Sequence, residues 1–100
     1  MAFYVHPNNK QFRYLAIEFY LGNSGSNCPT GRVVSKEEEC SLAADQLGSG
    51  YYGTQTNSKR PVGCYSWPSS RQIYFNTIAD INATDNIDIR IKGVCSGGMF

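Results

Sequence analysis

The segment GCYSWPSSRQIYFNT, Gly63 to Thr77, holds two runs of strand-forming residues. Cys64, Tyr65 and Trp67 precede a break at Pro68-Ser69-Ser70, and Ile73, Tyr74 and Phe75 follow it. Aromatic and β-branched residues suit a half-buried pleated surface, and Pro-Ser clusters punctuate such runs. The segment predicts two strands joined by a turn, with a cysteine in the first. It also poses a question, since Cys64 and its aromatic neighbours suit an active site, a ligand face or a disulfide-pinned hairpin.

The clearest local signal lies upstream. Ser35 is followed three residues later by Glu38, the spacing of a capping box. Glu37, Glu38 and Glu39 stand at the positive end of the helix dipole. Cys40, Ala43, Ala44 and Leu47 recur at i, i+3, i+4 and i+7, which is one face of a helix, and Gly48 falls where a helix stops. The pattern predicts a helix within 35–47, with Cys40 facing the core.

Residues 1–22 predict a β-hairpin turning at Pro7-Asn8-Asn9-Lys10. In its second strand Arg13, Leu15, Ile17, Phe19 and Leu21 share the face expected to meet the core. Asn23 to Gly31 is a small polar loop that contains Cys28. A second long loop, from Gly48 to Pro61, carries Tyr51 and Tyr52. In NIDIRIKGV, Ile87, Ile89 and Ile91 alternate with Asp88, Arg90 and Lys92 and predict a half-buried strand. Gly93 suggests a bulge, and the tail after Cys95 suggests fraying. The strand-rich part spans 62–95. The order hairpin, helix, hairpin, strand predicts one α+β domain over 1–100: an antiparallel β-sheet covered by one α-helix, with two disulfides.

The disulfides follow from cysteine arithmetic. Cys28, Cys40, Cys64 and Cys95 are even in number and widely spaced, with no C-x-x-C pair for zinc or redox work. His6 is the only histidine, so neither a metal centre nor a cofactor site is expected. Four cysteines allow three pairings. Cys40–Cys64 with Cys28–Cys95 is preferred because each bond then joins distant elements. On the chain-entropy model such loops contribute roughly 3.5 and 4.4 kcal/mol, comparable with the whole stability of a small domain. Disulfides imply an oxidising setting, so the expected location is extracellular, on a cell surface or an extracellular particle.

Charge and hydropathy exclude other classes. The formal net charge is +1, and no basic run exceeds Lys59-Arg60, so a nucleic-acid partner is not expected. No apolar stretch nears the ~20 residues of a membrane span, so no membrane insertion is expected. The first twenty residues do not read as a signal peptide.

The helix motif E-E-C-x-x-A-A-x-x-L-G, then R-P-x-G-C-Y, Y-F-N-T and a late cysteine resemble small four-cysteine modules of algal and protist multidomain surface proteins. The plan of a helix cysteine, a strand cysteine and two outer cysteines is similar to PAN/apple modules. That resemblance implies a helix pinned to an antiparallel sheet by a disulfide. It also implies binding of proteins or carbohydrates rather than catalysis.

Functional residues are weighed against plain packing. A cysteine nucleophile needs a base, and His6 alone is a poor supply, so no catalytic residue is assigned. Asp80, Asp85 and Asp88 suit a solvated turn better than a carboxylate pair or a calcium loop. Trp67, Tyr65, Tyr74, Tyr51 and Tyr52 suit a stacking platform for sugar rings, with Arg60, Arg71 and Asn76 as hydrogen-bonding partners. Cross-strand packing is the plainer use of the same rings. Asn82-Ala83-Thr84 fits an N-glycosylation acceptor. Aromatics on both faces of the strand from Gln11 to Leu21, with Met99 and Phe100 at the end, suggest a covering partner. The expectation is a non-catalytic extracellular structural or interaction module. It binds or self-assembles with proteins on a cell surface, filament or particle coat, and the alternative is a carbohydrate-binding module around Trp67.

Overall fold

The computed structural model describes residues 17–67 and 71–99. Residues 1–16 of the expected hairpin, with its turn at Pro7–Lys10 and with His6, Arg13 and Leu15, lie outside the described residues, as do the turn at 68–70 and Phe100. The fold is α+β. Five strands, β1 (Ile17–Ser24), β2 (Gly50–Gln55), β3 (Gly63–Trp67), β4 (Gln72–Asn76) and β5 (Lys92–Met99), form one sheet in the order β1-β5-β3-β4-β2. One helix, α1 (Glu37–Gln46), lies on one face. Three strand pairs are antiparallel, while β2 runs parallel to β4.

Alternation decides which residues meet the helix. Cys64 of β3, Ile73 and Phe75 of β4, Val94 of β5 and Phe19 of β1 point to α1 and pack with Cys40, Ala43, Ala44 and Val34. The two alanines leave little bulk between helix and sheet, which lets Cys40 and Cys64 approach to the 5.3 Å Cα–Cα distance of an ordinary disulfide. The helix is also tied to β1. Gln46 Oε1 accepts from the Phe19 N–H at 2.8 Å, and Gln46 Nε2 donates to the Ile17 carbonyl at 2.9 Å.

The ends of α1 differ in how they match expectation. Gly48 adopts φ +72°, its N–H donates to the Asp45 carbonyl, and the Ser49 N–H donates to the Ala44 carbonyl. That is the six-to-one and five-to-two closure of a Schellman motif. The capping box does not form. Lys36 occupies the N-cap with no side-chain cap, so Glu38 stands one position too early to complete the box with Ser35. Burial of Val34 against Cys40 and Cys64 keeps the approach extended through Lys36. Glu37, Glu38 and Glu39 supply the favourable charge in the first turn.

Three expectations are corrected. The stretch Gly50–Gln55 is strand β2, not loop; Gly53, at φ +111°, stands where the β2–β4 register shifts. The alternating stretch 86–91 is a turn, and the last strand starts at Lys92 and runs through the tail. Asn86 is left-handed at φ +51°, and Asp88 Oδ1 accepts from the Arg90 N–H at 2.9 Å. Short polar side chains that bond their own backbone outcompete the alternation there. Ile89 is consequently 78% exposed. Leu21 is exposed as well, because β1 runs on past the end of the short helix.

The face opposite α1 has no helix. Loops 25–32 and 56–62 cover it, held by the Cys28–Cys95 disulfide. Two glycines make room for that bond: a Cβ on Gly93 would lie 2.9 Å from Cys28 Sγ, and one on Gly22 would lie 2.9 Å from Cys95 Sγ. The bulge expected at Gly93 falls on β1 instead, between Leu21 and Ser24.

Gly63 combines two constraints. It sits at φ +73°, and a Cβ would overlap the Val34 carbonyl oxygen. Gly31 has φ +82° with open space around it. Gly31→Ala is expected to cost about 1 kcal/mol from backbone strain alone. Gly63→Ala should cost well over about 2 kcal/mol, because backbone must also move. Urea denaturation midpoints of the two variants check this ordering.

Candidate ligand-binding site

The helix-free face gathers the aromatic residues. Tyr65 and Tyr74 are directly opposed in the β3–β4 ladder, with ring centroids 5.5 Å apart and planes 19° from parallel. Tyr52, from neighbouring β2, continues the row with its centroid 5.9 Å from Tyr74. Trp67 lies two residues along β3 from Tyr65 and so shares its face. Gln55, Arg60, Tyr65, Trp67, Gln72 and Tyr74 line a cleft of about 160 Å³.

Exposure assigns roles within the row. Tyr65 is 1% exposed and is a packing residue, whereas Tyr74 and Trp67 are half-buried and Tyr52 is 58% exposed. The phenols of Tyr65 and Tyr74 donate to Gln55 Oε1 and Gln72 Oε1, each at 2.6 Å. With their oxygens engaged, the two carboxamides keep N–H groups for a ligand. Burial pushes the Tyr65 phenol above its usual range, opposed by the positive charge of Arg60.

Two guanidinium groups sit on Trp67. Arg60 lies 4.6 Å and Arg90 5.1 Å from its ring centroid, within cation–π range. Arg90 is also clasped by Asp88, Nε to Oδ1 at 3.0 Å and Nη2 to Oδ2 at 2.6 Å. These hydrogen bonds lower the Asp88 carboxyl to about 2. Trp67 therefore holds the two arginines in place, and the most exposed ring of the row is Tyr52.

Arg60 is positioned by a buried asparagine. Asn76, 1% exposed, donates from Nδ2 to the carbonyls of Asn57, Arg60 and Pro61 at 2.8, 3.3 and 3.0 Å. Its Oδ1 accepts from the N–H groups of Asn57 and Ile78, both at 3.2 Å. Asn76 thus shapes the loop that carries Arg60 and is not itself a ligand contact, which corrects the sequence expectation. Asn27 plays a similar part, accepting from the Val62 N–H at 2.7 Å and donating to Thr84 Oγ1 at 3.0 Å.

Of the residues expected to form a platform, Trp67, Tyr65, Tyr74, Tyr52 and Arg60 come together. Tyr51 and Arg71 do not. Tyr51 alternates with Tyr52 onto the helix face, where its hydroxyl donates to Glu37 Oε2 at 2.7 Å; burial and that carboxylate push its phenol up. Arg71, in left-handed geometry at φ +56°, lines a separate cleft with Leu47, Ser66 and Lys92. Gln55 and Gln72 were not expected as cleft residues; alternation from Tyr74 points to Gln72, whereas Gln55 follows the register shift in β2 and left no signal in the sequence.

Other motifs have structural places. All four cysteines are in disulfides, so none is a free thiol. Asp80 caps a 3₁₀ turn, Ile81–Ala83, by accepting from the Asn82 N–H, and Asp88 pairs with Arg90. Among the described residues no cluster could hold a metal, and no helix is long and apolar enough to cross a membrane. Asn82 is exposed on that turn.

No protein-family model, curated protein or solved structure matches the chain.

The Asp88 carboxyl has an ordinary value of 3.8, lowered to about 2 in the fold. A depressed carboxyl contributes above its free value and loses that contribution as pH falls through the folded one. Trp67, the single tryptophan, reports on Arg90 directly. Its fluorescence should stay steady down to about pH 4 and change as pH falls towards about 2. The Asp88→Asn variant should show the low-pH signal already at neutral pH.

Proposed function

We propose that this chain is a non-catalytic binding module that works outside the reducing cytosol and takes a saccharide on its helix-free face. The observation that carries this reading is the Tyr52–Tyr74 surface beside the Gln55 and Gln72 carboxamides in a small concave cleft. Sugar rings offer an apolar C–H face with hydroxyls at the rim, and aromatic rings flanked by amide donors complement both. Rigid rings also provide contact area at low entropy cost. The likeness to PAN/apple modules and to algal and protist surface modules agrees with this reading. Two disulfides suit an extracellular location.

Protein binding or self-assembly is the second reading, favoured by a different feature. Among the described residues β2 is an edge strand, paired only with β4, and strand addition is a common mode of association. The large exposed apolar residues are scattered, Tyr20 and Leu21 on β1, Tyr52 on β2, Ile81 on the 3₁₀ turn and Ile89 in the stretch before β5, which favours the cleft over a broad apolar interface. Asn82, exposed in its acceptor triplet, is the place for an N-linked glycan if the protein is made in a eukaryotic secretory pathway.

Trp67 fluorescence supplies the assay. Titration with a panel of oligosaccharides should give a saturable change. Tyr52→Ala, at an exposed position, should weaken binding by about tenfold, equal to about 1.4 kcal/mol, without lowering the unfolding midpoint. A panel that leaves the fluorescence and the calorimetric signal unchanged would reject the saccharide reading. Concentration-dependent size on a column would then favour assembly.

A further inference from the structure

The geometry points to an acidic sugar as the ligand, with the carboxylate of a uronic acid residue seated on Arg60. This rests on the saccharide reading of the cleft. The new observation is a cleft arginine with an unpartnered N–H. Arg60 is half-buried at the end of the tyrosine row, 4.6 Å from the Trp67 ring and 6.0 Å from the Tyr65 ring. Its Nε–H is buried and makes no hydrogen bond among the described residues. None of the residues lining the cleft is acidic. The one salt bridge among the described residues joins Arg90 to Asp88; Asp88 commits both its oxygens to Arg90 and acts on Arg60 only through space, without a direct bond.

A half-buried guanidinium whose buried Nε–H lacks a partner is completed by an anion. The guanidinium fork matches a planar carboxylate, whose two oxygens accept parallel N–H bonds. A uronic acid carries that carboxylate directly on its ring. The same residue can therefore stack on Tyr74 while its carboxylate meets Arg60. Lys59, exposed beside Arg60, adds to the positive field. A neutral hexose would leave Arg60 unmatched. A sulfate ester presents a tetrahedral anion on a flexible arm and matches the fork less well.

The test uses three probes on the intact protein: a galacturonate hexamer, the same hexamer with its carboxyls reduced to give neutral galactose, and a sulfated galactose hexamer. Binding is read by Trp67 fluorescence and calorimetry. The galacturonate hexamer should bind at least about tenfold more tightly than the neutral one, and added salt should narrow the gap. Arg60→Gln should erase the preference, with an unchanged circular dichroism spectrum showing that the fold is intact. Arg71→Gln should preserve it, since Arg71 lines a separate cleft. Equal affinity for charged and neutral hexamers would overturn the acidic-sugar assignment and leave the saccharide reading standing. Preference for the sulfated hexamer would overturn the carboxylate. Binding of none of the three would overturn both.

Discussion

A sheet with two faces and only one helix to cover them is the constraint on which the structure depends. Helix α1 lies on one face and is bonded to it through Cys40–Cys64. The other face is covered by loops, which have no regular hydrogen-bond ladder to hold them. Cys28–Cys95 supplies the missing restraint, fitted between Gly22 and Gly93 where any Cβ would meet sulfur. A small chain buries too little surface to order such loops by burial alone. Each face of the sheet thus has its own covalent tie.

The loop layer leads directly to the candidate site. Asn76 and Asn27 satisfy backbone groups in loops that regular structure does not reach. Their bonds set the path of residues 57–62, and that path brings Arg60 over Trp67. Beyond the covered region, Tyr74 and Tyr52 remain accessible. Packing residues and ligand-facing residues therefore belong to one aromatic row: Tyr65 is its buried end and Tyr52 its open end. Cross-strand packing and binding are successive parts of the same ladder rather than competing uses.

Much of this was legible in residue patterns. The period of Cys40, Ala43, Ala44 and Leu47 located α1, and Pro-Ser-Ser separated β3 from β4. Cys40 on the helix's inner face and Cys64 in a central strand made their bond part of the preferred pairing among three, and it is the pairing seen. Where patterns failed, a local competitor won. Gly50 and Gly53 hid β2, whose order comes from pairing with β4 rather than from its own propensity. The isoleucine alternation at 87–91 gave way to Asp88 and Asn86, and the glycine-rich tail became a strand because β1 lies beside it. Asn76 could not be assigned from sequence, since its role comes from contacts 15 to 19 residues away.

The central claim is that each face carries one disulfide. Mass mapping of peptides cut from the oxidised protein, with thiols blocked beforehand, tests it most directly. The account predicts two linked pairs, Cys40 with Cys64 and Cys28 with Cys95, and no blocked thiol. A Cys28–Cys40 or Cys28–Cys64 link, or free thiols in freshly isolated folded protein, would contradict it. The loop layer would then lack its tie, and the site built on that layer would have no basis.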